Sequence, residues 1–304
     1  MPSAPIHEFR APAKVNLALR VLGQRADGYH ELESIMVPIS LYDHVCIHAR
    51  PTRGPATISC AVKGSVEAPM GEENIAWKAA RAVLTALDLS ARVDISIAKN
   101  IPTQAGLGGG SSDAAIVLRR LPGLLGRRIS RGRVLELAAS LGADVPFFVE
   151  CRPAIARGIG ELLEPLVGFP RMAMVVVVPP TGVNTAWAYR SALPAVCKRS
   201  IAKGRARPAA LRAASLQLSR ERLLSRLSND FEPGVSRAVA DVARVRDLLA
   251  GAGAQHTVMT GSGSAMVGLF PGLRQARAAA SDFGRRDRAF AVTGLTAAPV
   301  HKSR

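Results

Sequence analysis

Residues Pro102–Ser112 read PTQAGLGGGSS and run straight into DAAIVLRRL at 113–121. Four glycines, Gly106, Gly108, Gly109 and Gly110, free the backbone to turn and to come close to a ligand. Ser111 and Ser112 stand where a helix N-cap belongs, and the apolar run from Asp113 predicts a helix that stops before Pro122. A helix entered this way aims its free first-turn N–H groups and its dipole into the loop, where an anion fits. No GxxxxGK(S/T) occurs and no lysine follows the glycines, so this is not a Walker A loop. GxGxxG fails too, because Ser111 takes the place of its last glycine. A plain glycine linker is the bland alternative. The order of strand, loop, double serine and apolar helix favours a phosphate loop.

Upstream, the chain reads as strand-rich. Lys14–Gly23, Val45–Ala49, Thr57–Val62 and Val93–Ala98 are strand candidates. Between the last two, Asn74 is placed to cap a helix over Asn74–Leu87, with Ile75, Ala79, Ala82, Val83 and Ala86 at helical spacing. Downstream, Arg133–Leu141 predicts a helix ended by Gly142 in a left-handed cap. Strand candidates at Met172–Val178, Thr257–Met259 and Ala265–Phe270, with a helix at Val239–Leu249, make the second half alternate. No fixed-period repeat or low-complexity tract occurs, and a soft boundary near residue 160 divides the chain into 1–160 and 161–304.

Composition bounds the class. An apolar fraction of 48% supports a large core, and an aromatic fraction of 4% makes that core mostly Ala, Leu and Val. The strongest apolar run, MAMVVVV at Met172–Val178, is far too short for a bilayer, and the N-terminus lacks a signal core. Cys46, Cys60, Cys151 and Cys197 are scattered without a CxxC, which predicts buried or free thiols in a reducing cytoplasm. Forty Lys and Arg against 23 Asp and Glu give +17, suited to nucleic acid or to anionic small substrates alike.

With the loop stand further motifs: PAKVNLAL at Pro12–Leu19, RADGYHEL at Arg25–Leu32, GADVPFF at Gly142–Phe148, RGIGE at Arg157–Glu161, NDFE at Asn229–Glu232 and TGSGSA at Thr260–Ala265. In this order they resemble the GHMP kinases over most of the chain. The resemblance implies an α+β, two-lobed fold: an N-terminal lobe of the ribosomal protein S5 domain 2-like kind, a C-terminal ferredoxin-like lobe, and an active site between them. It also implies ATP as phosphoryl donor, held by Pro102, Thr103, Gln104, Ala105, Gly106, Leu107, Gly108, Gly109, Gly110, Ser111 and Ser112. RADGYHEL with GADVPFF narrows the likeness to the branch whose substrate carries a cytidine diphosphate handle and a branched erythritol end. That branch phosphorylates the tertiary 2-hydroxyl on the non-mevalonate route to isoprenoid precursors.

An alcohol attacking ATP must lose its proton as the bond forms, while the parting phosphates need their charge neutralised. Local sequence places Asp144 in a rigid helix-to-strand turn, with Pro146 holding Val145 extended. A turn-forming Asp bonded to its own backbone is the alternative there, and a surface lysine is the alternative for Lys14. The resemblance makes Asp144 the general base and Lys14 its partner. It places Asn16, Tyr29, His30 and Tyr189 around the substrate. Tyr29 stacks on cytosine, His30 bonds the base edge and Asn16 reaches the erythritol hydroxyls, with Trp187 competing with Tyr189 for the second aromatic role. The bland reading of Gly28-Tyr29-His30 is a hairpin turn, compatible with that role. TGSGSA reads locally as a hairpin, and the resemblance packs it against the phosphate loop. Mg2+ is expected to arrive with ATP, within reach of Ser112 or Asp113, the latter also suiting the helix dipole as a first-turn carboxylate. His44 and His48 have no useful metal spacing on a strand.

Lys198–Arg226 holds nine Lys or Arg and one acid, Glu221. It reads first as a solvated basic face, with a patch for an anionic substrate or acidic partner as the alternative. It contains no aromatic residue to stack on bases, which disfavours an RNA-binding protein. Neither a nucleic-acid nor a membrane partner is expected. Another GHMP kinase, acting on mevalonate or homoserine, remains the rival within the family, and the oligomeric state is open.

Overall fold

Alternating small and β-branched residues draw the first half into long paired strands. The structure, a computed structural model, describes residues 7–64, 66–194, 197, 207, 209–211, 220–284 and 286–298. Strand β1 (His7–Gln24) runs antiparallel to β2 (His30–Pro51) along almost its whole length. The turn between them is built by RADGYHEL: Gly28 takes φ +85°, Asp27 accepts from the Tyr29 N–H at 3.1 Å, and the Arg25 N–H reaches the Tyr29 carbonyl at 2.7 Å. The hairpin reading of this motif holds.

β4 (Ala91–Lys99) pairs antiparallel with β2 and parallel with β3 (Thr57–Gly64). β5 (Ala154–Arg157) also pairs with β2, and β6 (Leu162–Pro165) pairs with β5. Helices α1 (Ile75–Ala86), α2 (Gly109–Leu124), α3 (Arg131–Leu141) and α4 (Val145–Glu150) cover one face of this sheet. Asn74 caps α1 by accepting from the Ala76 N–H at 2.8 Å. The buried stripe of α1 is Ala76, Ala79, Ala80, Val83 and Leu84, while Ala86 is exposed. The helix therefore sits rotated from its sequence-derived face, because Trp77 and Leu84 also pack inward.

The second sheet has the order β11-β7-β10-β9, from β7 (Ala173–Val178), β9 (His256–Met259), β10 (Met266–Phe270) and β11 (Arg288–Thr293). Helix α5 (Ala240–Gly251) lies between β7 and β9, and α6 (Leu273–Ser281) between β10 and β11. Strand order 4-1-3-2 with helices after the first and third strands is the ferredoxin-like arrangement. The two sheets share a core in which Ala13, Val15 and Leu17 of β1 meet Met174, Val176 and Val267. β8 (Ser228–Asn229) pairs parallel with β1, so the first sheet also takes strands from beyond residue 160.

Three local expectations change. α2 runs through Pro122 to Leu124, near enough to its end for the helix to carry the missing N–H. Gly142 caps α3 in extended backbone, φ 164°, with its N–H on the Ala138 carbonyl at 3.3 Å. Val145 opens a helix instead of a strand, because Pro146 falls in the first turn, where its missing N–H costs nothing. Cys60, Cys151 and Cys197 are buried free thiols and Cys46 is half-buried. No helix among the described residues is long and apolar enough to cross a membrane.

Candidate active site

The glycine loop lines a cavity of about 280 Å³, formed by Pro102 through Ser111 with Ile75, Lys99 and Ile101. Gly108, with φ +71°, makes the entry turn and is itself the N-cap of α2. Ser111 and Ser112 therefore lie in the first helical turn, not at the cap, because the left-handed glycine starts the helix at Gly109, four residues ahead of Asp113. The Ser112 hydroxyl is buried and has no hydrogen-bond partner among the described residues.

TGSGSA connects β9 to β10 as a hairpin and presses on this loop from the second lobe. A Cβ on Gly106, at φ +73°, would sit 2.8 Å from the Thr260 carbonyl oxygen. That glycine is required by protein packing as much as by any ligand. NDFE holds the contact: the Asn229 amide donates to the Met259 and Gly261 carbonyls at 2.7 and 2.8 Å, and Glu232 accepts from the Met259 N–H at 2.8 Å.

Lys14 enters the site through a change of register between Pro12 and Ala13. Before it, Phe9 and Ala11 pack toward the helices; after it, Ala13 and Val15 pack toward the second sheet. The irregularity flips the alternation and turns Lys14 and Asn16 to the loop side. The Lys14 N–H donates to the Leu107 carbonyl at 3.0 Å, so strand and loop are joined at the backbone. Its buried ammonium lies 3.5 Å from the Asp144 carboxylate and 2.5 Å from the Asn16 amide oxygen. Asn16 in turn donates to the Ser34 hydroxyl at 2.7 Å, and its N–H reaches the Thr260 hydroxyl at 2.8 Å.

Asp144 stands at the N-cap of α4 yet makes no side-chain cap bond. Its carboxylate is not spent on its own backbone, which removes the turn-forming reading. About a third of that side chain stays open to solvent.

Beyond this pair, His30 stacks on Tyr189 with centroids 4.6 Å apart, and Tyr189 meets Phe231 edge-on at 4.8 Å. Burial lowers the His30 pKa, keeping the ring neutral at pH 7. Burial, and then the charge of Asp144, push the Tyr189 phenol up, which ties the stacked pair to the same site. Tyr29 projects from the hairpin turn, 61% exposed. Tyr189 thus faces His30 in this structure, with Tyr29 outside the stack.

Beneath the loop lies a cluster that motif reading missed. The Lys99 ammonium pairs with Asp43 and, at 2.9 Å, with Asp113, and all three are buried. Asp43 also accepts from the Asn100 and Ile101 N–H groups at 2.7 and 2.9 Å. A Cβ on Gly109 would touch the Lys99 ammonium at 3.0 Å, so the cluster supports the first residue of α2. One Asp113 oxygen accepts from Lys99, while its Oδ1 is buried without a hydrogen-bond partner among the described residues. The signal was present: Ala91, Val93, Ile95 and Ile97 mark the buried phase of β4, and Lys99 falls on it.

Of the basic segment, most residues lie outside the described ones. Arg207 pairs with Asp230 at 2.5 Å, and Arg220 donates to the Gln255 side chain at 2.6 Å and to the Phe270 carbonyl. These two charges are structural, not parts of a solvated face.

A glycine loop opening an apolar helix, with an ion pair beside it, marks a phosphotransfer site. The profile of the GHMP kinases N terminal domain matches residues 74–152, and that of the GHMP kinases C terminal matches residues 209–288. The chain belongs to the GHMP kinase family, and it is a small-molecule kinase. It is 42% identical over 289 residues to the 4-diphosphocytidyl-2-C-methyl-D-erythritol kinase of Geobacter sp. (strain M21), covering 95% of this chain and 98% of that one. The enzyme of that name from Pelotomaculum thermopropionicum is 38% identical, over 93% and 96% of the two chains. A crystal structure of 4-(cytidine 5'-diphospho)-2C-methyl-D-erythritol kinase superposes with a TM-score of 0.74 at 36% identity, over 94% of this chain and 98% of that one. Homoserine kinase from Cytophaga hutchinsonii shares the fold, with a TM-score of 0.70 at 17% identity over 96% and 95%.

Proposed function

We propose that this chain transfers the γ-phosphoryl group of ATP to the 2-hydroxyl of 4-diphosphocytidyl-2-C-methyl-D-erythritol, on the non-mevalonate route to isoprenoid precursors. The carrying observation is the Lys14–Asp144 pair at 3.5 Å, joined to the glycine loop through the Lys14 backbone. The loop residues Pro102–Ser112 hold the triphosphate with backbone N–H groups and the α2 dipole. Asp144 takes the hydroxyl proton as the oxygen attacks. Lys14 holds that oxygen and the developing charge in place, itself steadied by Asn16.

The Ser112 hydroxyl and Asp113 Oδ1, both buried without a hydrogen-bond partner among the described residues, are the side-chain atoms that would meet a magnesium ion entering with ATP. The ion would neutralise charge on the β- and γ-phosphates. Among the described residues no three His, Cys, Asp or Glu gather to hold an ion by themselves, which suits a metal carried by the nucleotide.

His30, kept neutral, offers one donor and one acceptor to the cytosine edge. Tyr29 stacks on its face, Tyr189 backs His30, and Asn16 has amide capacity left for the erythritol hydroxyls. The division into lobes is proposed to fall near residue 160, with ATP and substrate bound between them.

Purified enzyme should turn over ATP with the cytidylated methylerythritol and not with mevalonate or homoserine. Turnover confined to either of the latter would overturn the assignment. Tyr29→Ala removes an exposed ring and should leave folding unchanged. It should raise the KM for the cytidine substrate about 5- to 150-fold, the scale of about 1–3 kcal/mol for stacking on a base. ATP affinity should stay constant, and an unaltered KM for the cytidine substrate would remove Tyr29 from the pocket.

A further inference from the structure

The far end of α2 presents a second site of opposite construction. Between the C-terminal part of α2, the start of α3 and the end of α4 lies a cavity of about 340 Å³, lined by Arg119, Arg120, Arg131, Val134, Val149 and Glu150. Glu150 is its sole carboxylate, and it is already used. One of its oxygens accepts from the Arg131 side chain at 2.6 and 2.9 Å, and the other accepts from Arg152 at 2.9 Å.

Arg119 and Arg120 have no ion pair among the described residues. Arg120 lies with its guanidinium carbon 5.3 Å from the centre of the Phe9 ring, and its Nε is buried without a hydrogen-bond partner. Burial, and then the like charge of Arg119, lower its pKa. Two adjacent half-buried guanidinium groups with one donor unmet are costly unless an anion completes them. Its volume is in the range of small-ligand sites, and it is an open cleft between three helices.

We propose that this arginine-lined cavity is a second anion site, separate from the glycine loop, that takes a phosphate or diphosphate group of a small molecule. Arg119 and Arg120 supply the forked donors, and Arg131, anchored by Glu150, closes the rim. A single helix links the two sites, since α2 begins at the phosphate loop and ends at the arginines.

Calorimetric titration of the full chain with inorganic diphosphate tests this, after the loop has been saturated with a non-hydrolysable ATP analogue. One further binding event is expected, with inorganic phosphate weaker than diphosphate. Arg119→Gln should weaken it tenfold or more, as loss of a charge-assisted bond of about 1.5–3 kcal/mol requires. Arg131→Gln, at the exposed rim, gives a second reading that does not depend on the packing of Arg120, and it should weaken binding too. Turnover at saturating substrates without added anion should be unchanged in both variants. No heat once the loop is blocked, or binding indifferent to both substitutions, would overturn the proposal.

Discussion

Asp144→Asn should fold as the parent does, bind ATP with unchanged affinity and lose about 10²- to 10⁴-fold in kcat, the usual scale for a positioned base. That corresponds to about 3–5 kcal/mol of transition-state stabilisation. The substitution preserves shape, and the side chain makes no bond to the helix it precedes, so α4 has nothing to lose. What disappears is the ability to accept a proton and the charge facing Lys14 at 3.5 Å. Lys14 keeps its bond to Asn16, so the ammonium stays in place. Steady-state kinetics alongside a nucleotide-binding isotherm separate the two effects. Near-normal turnover would take Asp144 out of the chemistry. Weakened ATP binding with kcat intact would mean that its charge serves the nucleotide instead.

Much of this site could be read before any coordinates. The loop and strands such as β1, β4, β7 and β10 followed from glycine placement and alternation, while the pairing of Lys14 with Asp144 was legible only through the resemblance that PAKVN and GADVPFF carry. Register was out of reach. Alternation along β1 predicts which residues share a face, and the shift between Pro12 and Ala13 reverses that prediction just before Lys14. Helix ends were misread for a related reason. A left-handed Gly108 starts α2 upstream of the serines that suggested a cap, and Pro146 opens α4 where it suggested a strand. In each case a residue with unusual φ or no N–H fits two local structures, and only the packing around it chooses. NDFE was legible as a motif but not as the bracket on TGSGSA, since nothing in residues 229–232 says what lies thirty positions on. The acids and the lysine beneath the loop were legible in principle. Asp43 falls between buried Leu41 and Val45 just as Lys99 follows Ile95 and Ile97, and a charge on the buried phase of a strand implies a partner.

Lys99→Met should destabilise the protein by about 3–5 kcal/mol, the cost of stripping one partner from a buried ion cluster. Asp43 and Asp113 would then face each other beneath Gly109 without a counter-charge, and at least one would have to hold a proton. The damage should reach function, because the Asn100 and Ile101 N–H groups bonded to Asp43 lead directly into the glycine loop. Urea unfolding reports the loss, and a rise in the KM for ATP reports the loop. Adding Asp113→Asn to Lys99→Met should recover much of the stability, since the amide is neutral without having to take up a proton on folding. A full loss that the second substitution leaves untouched would mean that the Lys99 stem, not its charge, holds the loop. Asp113 adds a pH signature of its own. Burial outweighs the neighbouring ammonium and pushes its pKa from 3.8 up to about 8, so the native state binds a proton there that the unfolded chain releases. Its contribution to stability is therefore greatest at low pH and fades as pH rises from about 4 to about 8. Asp113→Asn alone should flatten that slope, and an unchanged pH dependence of urea unfolding would show that the cluster keeps both carboxylates charged around Lys99.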